Sequence, residues 1–163
     1  MFIFSFKTSK RKIVTYCVII FAIIALFLMF FFSKSNGTQT TCPSGTYKLN
    51  AKDNNNRIEF LSQFGWEVNN EPTEITTITI PSEFNATYEK YNDIQREQGL
   101  DLSKYREKSC TRYTYQILNY NDSSQGIRAN ILVLDGKVIG GDISSINLNG
   151  FVHGFFDPNK INT

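Results

Sequence analysis

The chain has 163 residues and a formal net charge of +2 that averages two unlike parts. The first 34 residues hold five basic groups and no acidic one, whereas residues 35–163 hold 12 basic and 15 acidic, a net charge of −3. A mildly acidic main part excludes nucleic acid as an expected partner, since that would need a basic patch or stripe. The roughly 110 residues left after a linker suffice for one independently folding domain and hardly for two.

Taken in chain order, residues 1–12 are a basic N-terminus with Lys7, Lys10, Arg11 and Lys12. Residues 13–32, IVTYCVIIFAIIALFLMFFF, follow with no charge, Pro or Gly. A helix of that length spans about 30 Å, the thickness of a bilayer's hydrocarbon core. Fourteen of its residues are Ile, Val, Leu or Phe, together favouring insertion by about 4–8 kcal/mol. A core helix of a soluble protein would show a polar stripe that this run lacks. The basic flank keeps the N-terminus in the cytoplasm and exports everything after Phe32. A cleavable signal peptide would have an apolar region of only about 7–15 residues and a small-residue cleavage site. This run is longer and ends Phe30-Phe31-Phe32-Ser33-Lys34, so the reading is an uncleaved signal anchor whose first partner is the lipid bilayer.

Residues 33–52 read as a linker, because Ser33 to Thr46 is rich in Ser, Thr and Gly and has little to bury. The exported α+β domain is expected over residues 53–157, with a tail at 158–163. Asp53 and the asparagines after it mark a helix N-cap, Ile58, Leu61 and Phe64 recur at helical spacing, and Gly65 ends the helix. A short strand at Trp66–Val68 and a turn precede EITTITI, residues 74–80, β-branched at almost every position and predicted as a strand. Ser82 is the expected cap of a second helix with Phe84, Tyr88, Tyr91 and Ile94 on one face and Gly99 at its end. A helical turn around residues 103–106 leads to three strands. These are Thr111–Tyr120, whose Tyr113, Tyr115 and Ile117 alternate with polar residues, then Ile127–Leu134 and Lys137–Ser145. Asp135-Gly136 between the last two favours a type I′ hairpin. Ile131–Leu134 is apolar on both faces and predicts a central strand covered on both sides. Gly140-Gly141 predicts a bulge or a close backbone approach, and FVHGFF, residues 151–156, is expected to pack back on the domain. The expected order is helix, strand, helix, three strands, forming an antiparallel sheet with the helices against one face.

The segments RIEFLSQFGWEV, ITIPSEFNATYEKYN, QGLDLSKY, RYTYQILNY, IRANILVLDGKVIGGDI and NGFVHGF together resemble the domain of unknown function 4830 family over roughly residues 57–155. The resemblance implies a Gram-positive bacterial, membrane-anchored setting and no particular activity.

Few residues suggest chemistry. The chain has one histidine, His153, and no spacing of His, Cys and carboxylates that would hold a zinc ion. No cofactor is implied, because HExxH, GxSxG, Walker A and dinucleotide fingerprints are all missing. The one conceivable nucleophile set is Ser144 or Ser145 with His153 and Asp142 or Asp157, against which stands His153 as a packing residue of an aromatic tail. Cys42 and Cys110 lie on the exported side, where a disulfide would persist. Pairing them would close a loop of about 68 residues and add about 4 kcal/mol in the chain-entropy estimate, provided their Cα atoms come within range.

The expected function is a membrane-tethered extracytoplasmic binding or interaction module, an accessory or sensor subunit for another membrane or envelope protein. Trp66, Tyr113, Tyr115, Phe151 and Phe155 are the aromatic residues expected to supply its contact area. A small envelope hydrolase using His153 and a purely structural surface protein are the alternatives.

Overall fold

The computed structural model describes Tyr16 and residues 18–24, 39–120, 126–147 and 150–157. The chain divides into two compact units, residues 1–37 and 38–163. In the first, Tyr16 and residues 18–24 are α-helical, with large apolar side chains such as Ile20 and Phe21 exposed. Among the described residues no helix is long and apolar enough to cross a membrane. The remainder of the 13–32 run, the basic N-terminus and the tail after Asp157 lie outside the described residues.

The second unit is α+β. Strands β3 (Glu74–Thr79), β4 (Ser109–Gln116), β5 (Ile127–Leu134), β6 (Lys137–Ser145) and β7 (Val152–His153) form one antiparallel sheet in sequential order. The two helices are α1 (Asn54–Ser62) and α2 (Ala86–Glu97), with a 3-10 turn η1 at Leu102–Tyr105. Asp53 caps α1 as expected, its carboxylate accepting from Asn56 N at 2.8 Å. The cap of α2 is Asn85, not Ser82: the Asn85 side chain accepts from Tyr88 N, so the helix starts three residues later than expected. Asp135 and Gly136 both hold positive φ, 52° and 72°, the backbone that a two-residue type I′ hairpin requires.

The expected linker is largely built into the domain. Within 33–52, Gln39–Cys42 (β1) and Gly45–Lys48 (β2) form a two-stranded hairpin. Leu49 O then accepts from Val138 N, and Ala51 N donates to Gly136 O, so the chain runs beside the start of β6. Cys42, Tyr47, Leu49 and Ala51 are buried. Four apolar residues spread through a Ser/Thr/Gly-rich stretch do not stand out in composition, but two-fold alternation places Tyr47 and Leu49 on one side of an extended chain.

The helices cover opposite faces of the sheet rather than one. Strand alternation sends Tyr113, Tyr115, Ile117, Ala129, Ile131, Val138 and Ile143 to the α1 side, where they pack with Phe60, Leu61, Tyr47, Trp66 and Phe155. Cys110, Leu132, Leu134 and Ile139 face the α2 side with Leu102, Tyr88 and Tyr91. Strand β5 pairs with both β4 and β6 and supplies residues to both clusters, as its unbroken apolar run predicts. Burying Phe60 and Leu61, both at 1% exposure or less, is worth about 1.5–3 kcal/mol each. The paired glycines of β6 follow a bulge and allow a close approach. The β5–β6 register shifts between Leu132 and Val133, leaving Ile139 as the extra residue. A Cβ on Gly141 would lie 2.2 Å from Asn130 O and 2.4 Å from Phe155 Cζ, so only glycine lets the tail ring lie against the strand.

Candidate functional site

Asp142 and Ser144, two residues apart on β6, both face α2, and Asn130 Nδ2 joins them, donating to Asp142 Oδ2 at 2.9 Å and Ser144 Oγ at 3.1 Å. His153 pairs with Ile143 in the β6–β7 ladder and shares its face, the α1 side. Its ring stacks on Phe151 at 5.2 Å and Tyr120 at 6.2 Å between centroids. Nδ1 lies 2.6 Å from Gly154 O and must carry the proton, while Nε2 is buried with no hydrogen-bond partner among the described residues. A general base has to reach its nucleophile within about 2.6–3.2 Å. Ser144 lies across the sheet from His153, and His153 Nε2 accepts from neither serine, so the set Ser144 or Ser145, His153 and Asp142 is not assembled. Asp157 comes near this end of the molecule, where its charge adds to burial in raising the Tyr120 phenol pKa. Among the described residues no cluster of His, Cys, Asp and Glu is arranged to hold a metal ion.

The five expected binding aromatics separate by burial. Trp66, Tyr115 and Phe155 belong to the core, at 3% exposure or less. Trp66 Nε1 donates to Phe155 O at 2.6 Å, and Tyr115 OH receives Arg57 Nε and donates to Asn54 Oδ1. Phe155 meets Phe60 edge-on at 4.8 Å and stacks on Phe64 at 5.3 Å. They are buried because they point at the α1 layer, whose depth residue type alone does not reveal. Tyr113 is half-buried under the Arg57 guanidinium, 3.8 Å from its ring centre, and Phe151 is half-buried in the His153–Tyr120 stack.

The possible disulfide is not formed: Cys42 and Cys110 are both free and buried. Cys42 Sγ is within 3.4 Å of Gly45 O and belongs to the α1-side core, whereas Cys110 lies in the α2-side cluster. The sheet stands between them. Burial raises the Cys110 thiol pKa, which lowers its reactivity.

On the α2 face the sheet carries a row of polar groups that the sequence did not announce. Thr114, Asn130 and Asp142 are direct neighbours across β4, β5 and β6. Thr114 Oγ1 donates to Asn130 Oδ1 at 2.9 Å, Asn130 to Asp142, and Tyr91 OH from α2 donates to Asp142 Oδ1 at 2.9 Å. Burial, and then the charge of Asp142, push the Tyr91 phenol well above its usual range, so it remains a neutral donor. Further along α2 the fully buried side chains are Asn92 and Gln95, not the expected aromatics. Gln95 Oε1 accepts from Gly141 N at 2.8 Å, and Asn92 Oδ1 accepts from Leu102 N at 2.8 Å. The network is closed upon itself and holds α2, η1 and the sheet in one register. Beside it, a cleft of about 180 Å³ is lined by Thr40, Leu49, Asp101, Lys104, Tyr105 and Lys137 among others.

Further along the strands on this face, three of the described residues expose aliphatic side chains. Ile117 N donates to Ile127 O and Ile146 N to Gly126 O, which puts Leu118 and Ile146 on either side of Gly126. Gly126 has no side chain to fill the gap, and a Cβ there would meet Ile146 Cγ1 at 2.7 Å. Val152 opposes Ser144, two residues before Ile146 on the same face. Leu118, Ile146 and Val152 are 51%, 57% and 51% exposed. Aromatic residue type does not point to them. The signal available was that Ile117 is a core residue of an alternating strand, so that Leu118 must face the other way.

These features define a class: a five-stranded antiparallel sheet with a helix on each face, closed polar packing on one side and no assembled catalytic set among the described residues. The chain matches the family described as Domain of unknown function (DUF4830) over residues 60–143, just over half its length, and belongs to that family. The matched part runs from Phe60 in α1 to Ile143 in β6, so the β1–β2 hairpin and the Phe155 tail lie outside it. No curated protein and no solved structure matches the chain.

Proposed function

We propose that this protein is a membrane-tethered, extracytoplasmic binding module that docks a membrane or envelope protein, as an accessory or sensor subunit, through the Leu118–Ile146–Val152 surface. The observation that carries the reading is this set of three half-exposed aliphatic side chains on one face at one end of the sheet. Isolated exposed apolar residues need no explanation, but adjacent ones on a sheet face mark an interaction surface. The tether is residues 13–32, uncharged and long enough for a bilayer. Lys7, Lys10, Arg11 and Lys12 ahead of it orient the N-terminus inward. His153 acts in this reading as a packing ring of the tail.

Co-purification of the tagged full chain from solubilised membranes tests the docking surface. The double change Leu118→Glu, Ile146→Glu is expected to release the partner by at least about tenfold, since a charge in the centre of an apolar contact costs more than 1.4 kcal/mol. His153→Ala is expected to leave the partner bound. The opposite pattern overturns the reading. Protease added to intact cells should remove a C-terminal tag and spare an N-terminal one, and a protected C-terminal tag overturns the orientation.

A further inference from the structure

The sheet is closed unequally at its two edges. At one edge β7 contributes only two residues, and the chain at Leu49–Ala51 covers the other end of β6. At the other, β3 runs for six residues and pairs only with β4. Ile80 N donates to Lys108 O at the end of that ladder. Antiparallel residues alternate between bonded and non-bonded positions, so Ile78, Thr76 and Glu74 also turn their backbone groups towards β4. Those of Ile75, Thr77 and Thr79 then point outwards, with no strand beside them among the described residues. Proteins usually blunt such an edge with lysine, proline or a bulge. Here Pro72 and Pro81 stand outside the strand, no residue from 74 to 79 is basic, and the single charge, Glu74, is engaged by Arg112 Nη2 at 2.6 Å. Ile75 is 60% exposed.

We infer that β3 is a self-pairing edge through which two copies of this chain join their sheets into one ten-stranded antiparallel sheet. The occupant is argued from the strand's own pattern. A two-fold axis through Thr77 keeps each face of the sheet on its own side and brings outward-pointing residues opposite one another. Thr77 meets Thr77 of the second copy, and Ile75 meets Thr79 of the second copy, giving about six backbone hydrogen bonds. Thr76 then opposes Ile78 of the second copy, and Glu74 opposes Ile80 of the second copy, so no like charges meet. A foreign peptide bound at a sheet edge is selected by pockets for alternate side chains. The Ile75–Thr77–Thr79 row of β3, small and uncharged throughout, suits its own copy better. Six residues of edge bury less than the roughly 1,200 Å² of a stable free dimer, so the pairing depends on confinement at a membrane surface, where effective concentration rises. In that respect it rests on the tethered reading above, although the register does not.

Cysteine cross-linking of the full chain in cells tests it, on a Cys17→Ser background with the buried Cys42 and Cys110 retained. Bonded antiparallel partners stand about 5.5 Å apart at Cα, within disulfide range. Mild oxidation should convert Thr77→Cys to a covalent dimer at least about tenfold more efficiently than Thr79→Cys, whose copies are set apart by the register. Equal cross-linking at both positions overturns the inference, as does a monomeric Thr77→Cys chain whose Trp66 emission is native. A disulfide from Thr77→Cys to a different protein overturns self-pairing and assigns the edge to a foreign strand. Should Thr77→Cys misfold, co-expressed Ile75→Cys and Thr79→Cys chains with different tags read the same register, and no mixed dimer between them is fatal. Alkaline carbonate extraction of the same cells reads the tether separately. A chain released by carbonate refutes the membrane anchor and leaves the cross-linking result to stand by itself.

Discussion

On the α1 face of the sheet, three separate segments supply the cover: helix α1, the β1–β2 hairpin and the C-terminal tail. Their rings meet one another, Tyr47 with Phe64 at 4.9 Å, Phe60 with Phe155 at 4.8 Å and Phe64 with Phe156 at 4.9 Å. On the α2 face the cover is one twelve-residue helix and a 3-10 turn; the fully buried side chains of the helix are the amides Asn92 and Gln95, and the turn adds Leu102. Twelve helical residues extend about 18 Å, whereas a nine-residue strand such as β6 extends about 30 Å. The shorter cover leaves part of its face open, and that is where Leu118, Ile146 and Val152 stand. The α1 layer thus holds most of the apolar burial, and the α2 layer sets position through hydrogen bonds and leaves surface for a partner.

The sharpest way to break this contrast is to remove one ring from the α1 layer. Phe155→Ala empties a site at 0% exposure between Phe60, Phe64 and Gly141, and should cost about 3–5 kcal/mol. Chemical denaturation of the full chain in detergent, followed through its single tryptophan, Trp66, reads the loss directly. A change under about 1 kcal/mol would mean that the tail is not part of the core.

How much of this was legible beforehand follows from the same contrast. Strands β3 to β6, the Asp135-Gly136 turn and the central place of β5 are written in local patterns: alternation, a two-residue turn and an unbroken apolar run. Each needs only neighbours in sequence. The hairpin at residues 39–48 has a linker's composition, but its packing is with α1 and the tail, Tyr47 against Phe60, Phe64 and Phe156, a long-range fact that composition does not carry. The polar row was invisible for a similar reason. Thr114, Asn130 and Asp142 come from three strands and become neighbours only through register. Of the site residues, aromatic type pointed to Tyr113 and Phe151, which are partly accessible. It equally pointed to Trp66, Tyr115 and Phe155, which the depth of the α1 layer hides.

A middle-sized effect is expected on the polar side. Tyr91→Phe keeps the ring and removes one hydrogen bond to the buried Asp142 carboxylate. Bonds to charged groups contribute about 1.5–3 kcal/mol, so this change should cost less than Phe155→Ala by the same measurement. An equal or larger cost than Phe155→Ala would reverse the assignment of the two layers.

The smallest effect concerns Asp101, the residue that caps η1 where the α2 layer meets the cleft. Partial burial favours its protonated form, but Asn92 Nδ2 at 3.0 Å, Ser103 Oγ at 2.7 Å and Ser103 N at 3.0 Å all donate to Oδ1. These bonds, with Arg96 nearby, outweigh desolvation and hold the carboxyl pKa at about 2. A carboxylate whose folded pKa lies below its unfolded value contributes stability that is complete above about pH 4. That contribution fades as the pH falls from about 4 towards 2, because the unfolded chain takes up the proton first. Solvent screening at this partly exposed position keeps the contribution to roughly 1 kcal/mol or less. Asp101→Asn should therefore narrow the difference in stability between pH 6 and pH 2.5 while leaving the Phe155 core untouched. Denaturation curves of both chains at the two pH values measure it. If the two proteins lose stability in parallel, the acid sensitivity of the α2 layer does not come from Asp101.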